Sequence, residues 1–258
     1  MIHFFSGTGN TRYVAALLSQ NLGMSLHEFT SEELRNPLTC TVKDDDSLVI
    51  WAFPTYSWGV PPVILRIIED ARFEFRKESV HVCVTTCGDD TGNLDKMFRK
   101  KIQQRGFNPG GVFSVQMPNT YVMMAGFDVD SPELVKSKLE ACIPRVEEIS
   151  RQLKKDPRTH DKGLLVRGSF PGVKTSVIYP WFVRHDMNPR YFNVNAENCI
   201  SCGKCVGVCP MENIRLNESK HPEWGENCAF CTACYHVCPQ HAVGWKKTTL
   251  RKGQKQIL

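Results

Sequence analysis

The run Cys199-x2-Cys202-x2-Cys205-x3-Cys209-Pro210 is followed by Cys228-x2-Cys231-x2-Cys234-x3-Cys238-Pro239. The second run lies 29 positions after the first, and the register extends past the cysteines: Glu197-Asn198-Cys199 returns as Glu226-Asn227-Cys228. The segment is an internal duplication. A cubane iron–sulfur cluster needs four soft thiolates converging on one small object. Three cysteines separated by two residues wrap one face within a tight loop. The fourth is carried off by the next turn and ligates the other cluster. The expected sets are therefore Cys199, Cys202, Cys205 and Cys238 for cluster one, and Cys209, Cys228, Cys231 and Cys234 for cluster two. Pro210 and Pro239 turn the chain away after each fourth ligand, because proline fixes φ and donates no hydrogen bond.

Other uses of the thiols fit less well. Zinc ribbons use isolated Cys-x2-Cys pairs, and disulfides need a secreted context. Residues 192–247 resemble the bacterial two-[4Fe–4S] ferredoxins at all eight ligand positions, which implies a small α+β domain. About 50 residues cannot bury a large core, so ligand bonds should supply much of its folding energy. The apolar residues repeat with the cysteines: Ile214 and Leu216 match Val243 and Trp245.

The chain of 258 residues has room for a second domain. Hydrophobic residues make up 41% and charged residues 23%, a globular balance. Cys40, Cys83, Cys87 and Cys142 are scattered without pairing logic, so free thiols and clusters together suggest a reducing cytoplasm. Met1–Phe5 lacks a basic leader, and no stretch has the ~18 apolar residues of a membrane span. No nucleic-acid or hydrolase motif is present.

The first residues read as a short buried strand. Ser6-Gly7-Thr8-Gly9-Asn10-Thr11 follows, then an amphipathic helix with Tyr13, Val14, Leu17 and Leu18 on one face. Strand, hydroxyl-rich glycine loop and helix start make a seat for phosphate, since unpaired N–H groups and the positive dipole end meet there. The Walker and dinucleotide patterns fail: no Gly-Lys-Ser/Thr triplet occurs, and Arg12 stands where a third glycine is needed. Met24–Phe29, Ser47–Phe53, Val80–Thr86 and Gly111–Met117 read as further strands, with helices after Pro62, over Leu94–Arg105, and from Ser131 to Pro157. The last helix should bury Leu134, Leu139, Ile143, Val146, Ile149 and Leu153, and Pro144 should kink it. Asp44-Asp45-Asp46 reads as an exposed turn without a role.

Five strands alternating with helices predict a doubly wound, five-stranded parallel α/β sheet. Ligands in such sheets sit at the carboxyl ends of the strands, where three loops meet: 6–11, 54–60 and 86–93. Residues 1–155 resemble flavodoxins, with the phosphate loop Ser6–Thr11 matching in full and the other two loops by type. Asn93 departs from the tyrosine often found in the third. The resemblance implies FMN, its phosphate held by Ser6, Gly7, Thr8, Gly9, Asn10 and Thr11. Its ring would be covered from Pro54, Thr55, Tyr56, Trp58 and Gly59, and its pyrimidine edge met by Thr86, Cys87, Gly88, Asp89, Asp90 and Gly92. Asn119 and Tyr121 are rim candidates. Asp89 and Asp90 are expected to be solvated.

The expected organisation is a flavodoxin-like domain over 1–156, an ordered connector over 157–191, a two-cluster domain over 192–248 and a basic tail over 249–258. The connector's aromatic residues should wedge between the domains, around a short helix near Pro180. The tail should be solvated or offered to an acidic partner. The whole resembles the flavodoxin–ferredoxin fusion proteins of anaerobic bacteria. That implies electron transfer among FMN, two [4Fe–4S] clusters and partner redox enzymes. The alternative is an FMN-dependent reductase of a small substrate, fed by its own ferredoxin domain.

Overall fold

Strands buried on both faces need no alternation, and the central ones have none: every residue of Val80–Cys87 is buried. The structure, a computed structural model, describes residues 1–159, 162–249 and 251–255. In chain order it opens with β1 (Ile2–Phe4), α1 (Asn10–Leu22), β2 (Leu26–Glu28), α2 (Ser31–Arg35) and β3 (Thr41–Asp44). Then come β4 (Leu48–Pro54), α3 (Pro62–Asp70), β5 (Arg72–Phe75), β6 (Val80–Cys87), α4 (Leu94–Gln104), β7 (Asn108–Gln116) and α5 (Pro132–Lys155). The main sheet has the order β2-β1-β4-β6-β7, and every pairing in it is parallel. Counting only its own strands, that is 2-1-3-4-5, the flavodoxin-like winding, with the order reversing between β1 and β4. The sequence expectation of a five-stranded parallel sheet agrees with this.

A second small sheet was not foreseen. β3 and β5 pair in parallel, and Phe73 and Phe75 of β5 pack their rings against Trp51, while Phe75 also meets His81. The acidic turn is not a turn without a role either. Asp44 ends β3, is buried, and takes a 3.1 Å hydrogen bond from His3 Nε2 and a 2.9 Å bond from the Asp46 amide. Burial raises its pKa, but these bonds and the nearby α-amino group of Met1 outweigh burial and bring it down to about 2.

Helix α5 is capped as expected, Ser131 Oγ accepting from the Leu134 amide. It continues through Pro144 to Lys155. Its buried stripe is Cys142, Val146, Ile149, Ser150 and Leu153. Leu134 and Ile143, expected inside, are 44% exposed, because the stripe follows the turn that meets α1 and β7. No helix among the described residues is long and apolar enough to cross a membrane.

The connector is helical where a short helix was expected: α6 (Pro171–Val173), one π-turn over Lys174–Ile178, and α7 (Tyr179–His185). Phe182 is buried against Phe230 of the cluster segment and Tyr179 against Gly59 and Val60 of the sheet domain, but Phe170 and Trp181, expected to wedge between the domains too, are 79% and 50% exposed. The cluster segment contains β8 (Phe192–Val194), α8 (Lys204–Gly207), β9 (Ile214–Leu216), β10 (Pro222–Trp224), α9 (Ala233–His236) and β11 (Val243–Trp245), paired as β9–β10 and β8–β11. Its core is shared. Val122 and Met123 from the loop after β7, and Phe182 from the connector, pack with Phe230, Tyr235, Val243 and Trp245. Met211 and Ala229 join the core of the sheet domain in return. A small segment thus buries its apolar surface against a larger neighbour.

Candidate functional site

The backbone of the cysteine runs repeats as faithfully as their sequence. Ser201, Gly203 and Glu212 have φ of 53°, 70° and 46°; their counterparts 29 positions on, Phe230, Thr232 and His241, have 57°, 63° and 49°. Left-handed conformations at non-glycine residues cost energy and persist only where the surroundings enforce them. Here they fold each run back on itself so that its thiols face inward. The Asn213 amide donates to Cys209 Sγ at 3.4 Å, and the Ala242 amide to Cys238 Sγ at 3.2 Å, the same i+4 contact in both copies.

The eight cysteines line two separate small cavities. Cys199, Cys202, Cys205 and Cys238 line one cavity, and Cys209, Cys228, Cys231 and Cys234 line another. Each cavity therefore holds three cysteines of one run and the last of the other. Among the described residues no three His, Cys, Asp or Glu side chains converge as they would on a single ion. Each quartet lines its own cavity, and four thiolates are the ligand set a [4Fe–4S] cluster takes. The first cavity is outermost: Cys202 is exposed, and Ile200 in its wall is 60% exposed. Trp224 lines the inner cavity, with its Nε1 buried and directed at the Cys234 thiol.

A larger cleft of about 170 Å³ opens at the carboxyl ends of β1, β4 and β6. The loop after β1 supplies Ser6, Gly7, Thr8, Asn10 and Thr11. Thr11 Oγ1 and Thr86 Oγ1 share a 2.9 Å hydrogen bond, which ties this loop to the end of β6. Gly9, expected in the wall, is not in it. It serves as the N-cap of α1 with φ of 88°, a conformation that suits glycine.

The loop after β4 closes as a tight turn. Tyr56 and Gly59 exchange backbone hydrogen bonds of 3.0 and 2.9 Å, with Ser57 and Trp58 at the corner at φ of 43° and 65°. Two consecutive positive φ values define a type I′ turn. It sets Trp58 at the cleft edge with Pro54, Thr55 and Tyr56. Gly59 turns away from the cleft: a Cβ on it would stand 2.4 Å from the ring of Tyr179, so only glycine lets the connector pack there.

The loop after β6 contributes Thr86, Cys87, Gly88, Asp89 and Asp90. Burial pushes the Cys87 thiol up to about 12, with Asp90 and Asp89 adding to the effect. Gly92 is not in the wall; at φ of 58° it lets the loop pass Thr175 and Trp58. Asp89 is exposed, but Asp90 is not solvated as expected. Lys174 Nζ bonds Asp90 Oδ2 at 2.6 Å and lies 5.1 Å from the centre of the Trp58 ring. Thr175 Oγ1 donates to the Trp58 carbonyl at 2.7 Å. Both residues lie in the π-turn, whose wider coil brings neighbouring side chains onto two loops at once.

The remaining wall was only partly foreseen. Asn119 and Tyr121 are in it, joined by Pro118, Thr120, Met124, Phe127 and Phe182. So are Phe230, Cys231 and Thr232 from the cluster segment. Cys231 belongs to both sites, and Gly7 touches it. A Cβ on Gly7 would stand 2.3 Å from Cys231 Cβ and 3.1 Å from its Sγ. The hydroxyl of half-buried Tyr56 is buried near the same cysteines; burial raises its pKa, and Cys231 and Cys228 add to that. Three buried hydroxyls in the cleft, Ser6 Oγ, Tyr56 Oη and Tyr121 Oη, have no hydrogen-bond partner. Buried polar atoms are costly when unpaired, so the cleft is built for a ligand that is polar at the hydroxyl-rich loop and flat and apolar between the aromatic walls.

The tail departs most from expectation. It is not a solvated basic segment. Lys252 Nζ donates to the carbonyls of Met124 and Phe127, Gln254 Nε2 to that of Cys238 at 3.0 Å, and Lys255 is buried. Leu250 and residues 256–258 lie outside the described residues.

Residues 191–252 match the 4Fe-4S dicluster domain family. No curated protein matches the chain. Among solved structures, a flavodoxin of Streptococcus pneumonia TIGR4 is 17% identical over 60% of this chain and 96% of its own, with a TM-score of 0.36. Rubredoxin oxygen:oxidoreductase from Desulfovibrio gigas is 14% identical over 60% of this chain and 35% of its own, at 0.35. Megasphaera elsdenii flavodoxin is 13% identical over 44% and 85%, at 0.31. At such scores the fold rests on the strand order, not on these likenesses.

Proposed function

We propose that this chain is an electron relay with three centres in a row: FMN in the cleft, an inner [4Fe–4S] cluster on Cys209, Cys228, Cys231 and Cys234, and an outer one on Cys199, Cys202, Cys205 and Cys238. FMN supplies both one- and two-electron chemistry and the clusters supply one-electron transfer. The contact of Gly7 with Cys231 carries the reading, since the phosphate loop of one site touches a ligand of the other.

The residues suit these roles. Ser6 and Thr11 offer hydroxyls, and the start of α1 offers unpaired amides, to a phosphate at the switch point of the sheet. Tyr56 and Trp58 are placed to cover a flat ring. Tyr56 also fills the space between cleft and inner cluster and keeps water out of it. Trp224 Nε1 is available to a cluster sulfur, a type of contact that tunes potential. Because Cys202 of the outer quartet is exposed and no cysteine of the inner quartet is, partner redox proteins would exchange electrons at the outer cluster.

Anaerobically purified protein should contain about eight iron and one FMN per chain, as two cubanes and one flavin require. In Cys209→Ser, spectroscopy should show loss of the inner cluster although Cys209 lies in the first run, and flavin reduction through the outer cluster should slow. Loss of the outer cluster, or flavin reduction at an unchanged rate, would overturn the ligand sets or the order of the relay.

A further inference from the structure

The Ser6–Thr11 loop holds hydroxyls and amides but no cationic side chain of its own. A phosphate monoester is close to a dianion at neutral pH. An ammonium reaches this loop from the other end of the chain. Lys255 is 8% exposed, and its Nζ donates to Asn10 Oδ1 at 2.9 Å. Because an ammonium only donates, this contact orients the Asn10 amide, whose Nδ2 in turn donates to the Pro118 carbonyl at 2.8 Å. Among the described residues no carboxylate pairs with Lys255; burial alone lowers its pKa, to about 8. A buried cation without a counter-ion is costly. In the same loop as Asn10, Ser6 Oγ is buried without a partner. The Lys255 amide donates to His236 Nδ1 at 3.1 Å, and Gln254 holds the Cys238 carbonyl, so this lysine is anchored on the cluster domain.

We propose that Lys255 supplies the counter-charge for the phosphate of the cleft ligand, so that phosphate is recognised jointly by the first loop and the last segment of the chain. The inference rests on the reading of the cleft as an FMN site. It makes flavin occupancy and tail docking mutually stabilising, as linkage requires.

The test compares FMN with riboflavin, which carries the same ring without phosphate. Both are titrated by fluorescence quenching into full-length protein freed of flavin with its clusters retained. Charge-assisted hydrogen bonds set the expected scale: Lys255→Met weakens FMN about ten- to a hundredfold, leaves riboflavin unchanged, and Lys255→Arg recovers most of the loss. Equal weakening of both flavins, or of neither, overturns the proposal. In the unaltered protein, FMN but not riboflavin should slow hydrogen exchange over residues 251–255, and equal protection by both overturns it even if the variants misfold. Binding of FMN and riboflavin with equal affinity removes Lys255 from the site while leaving the flavin reading intact. Binding of neither removes both.

Discussion

Replacing Gly7 by alanine should pry the two redox sites apart. The new methyl group would stand 2.3 Å from Cys231 Cβ and 3.1 Å from the Cys231 carbonyl oxygen, against 3.4 Å for the onset of ordinary contact. The shortfall is about 1.1 Å, and the obstacle is the Cβ and backbone of Cys231, not the end of a flexible side chain. Overpacking of this kind costs about 1–3 kcal/mol. A separation of the domains relieves it, so the docked arrangement should weaken by about 5- to 150-fold. Gly207→Ala is the control, since nothing lies within 4 Å of a Cβ there. The assay is anaerobic stopped-flow reduction of the clusters with the flavin followed optically, alongside hydrogen exchange over Thr120 and His236, which are joined across the interface by a 2.8 Å bond. Slower flavin reduction and faster exchange in Gly7→Ala, with Gly207→Ala like the parent, is the expected result. If Gly7→Ala behaves as the parent in both measurements, the close approach of loop and ligand is not what couples the sites.

Two further outcomes follow from the charged groups. His81 is buried and its pKa is lowered to about 4, by burial first and then by His3. A histidine depressed in the fold contributes stability that is complete above the unfolded value of about 6.5 and is lost as pH falls to the folded value, here of order 3 kcal/mol. Asp44, at about 2, loses its contribution in a lower window, between its unfolded value near 4 and its folded one. Urea midpoints should therefore decline from about pH 6.5 downward; His81→Gln should flatten the upper part of that decline, and an unchanged slope would count against it. Lys174→Met should leave the Asp90 carboxylate unneutralised in the cleft wall, and negative charge there disfavours an added electron. The flavin potential should fall in an anaerobic redox titration and recover in Lys174→Met/Asp90→Asn; a rise in the single variant would contradict the pairing.

The strands of the main sheet were legible because a buried parallel strand advertises itself as a mostly apolar run, unbroken over Leu48–Phe53 and interrupted only by His81 over Val80–Val84. β3 and β5 were not, since each is four residues long and half-exposed, and Arg72-Phe73-Glu74-Phe75 reads as surface until Trp51 and His81 are seen beneath it. The same limit hid Asp44, whose partners His3 and Met1 are more than 40 positions away. The three cleft loops were readable from their position after strands. The aromatic wall was not, because Phe127, Phe182 and Phe230 come from three segments with no shared pattern. The tail misled for a related reason: lysines look solvated in a sequence, and only folding shows that Lys252 and Lys255 have carbonyl and amide acceptors waiting.

Spacing alone grouped the eight cysteines into two sets of four and marked the hydroxyl-rich loop after β1, because groups held within one tight turn, or by one helix start, obey rules that are local in the chain. Which cluster lies inward, that Cys231 also walls the cleft, and that Lys255 meets Asn10 were decided only by the tertiary structure. Those contacts arise when two apolar surfaces far apart in sequence bury each other, and no pattern along either segment encodes where the other will come to rest.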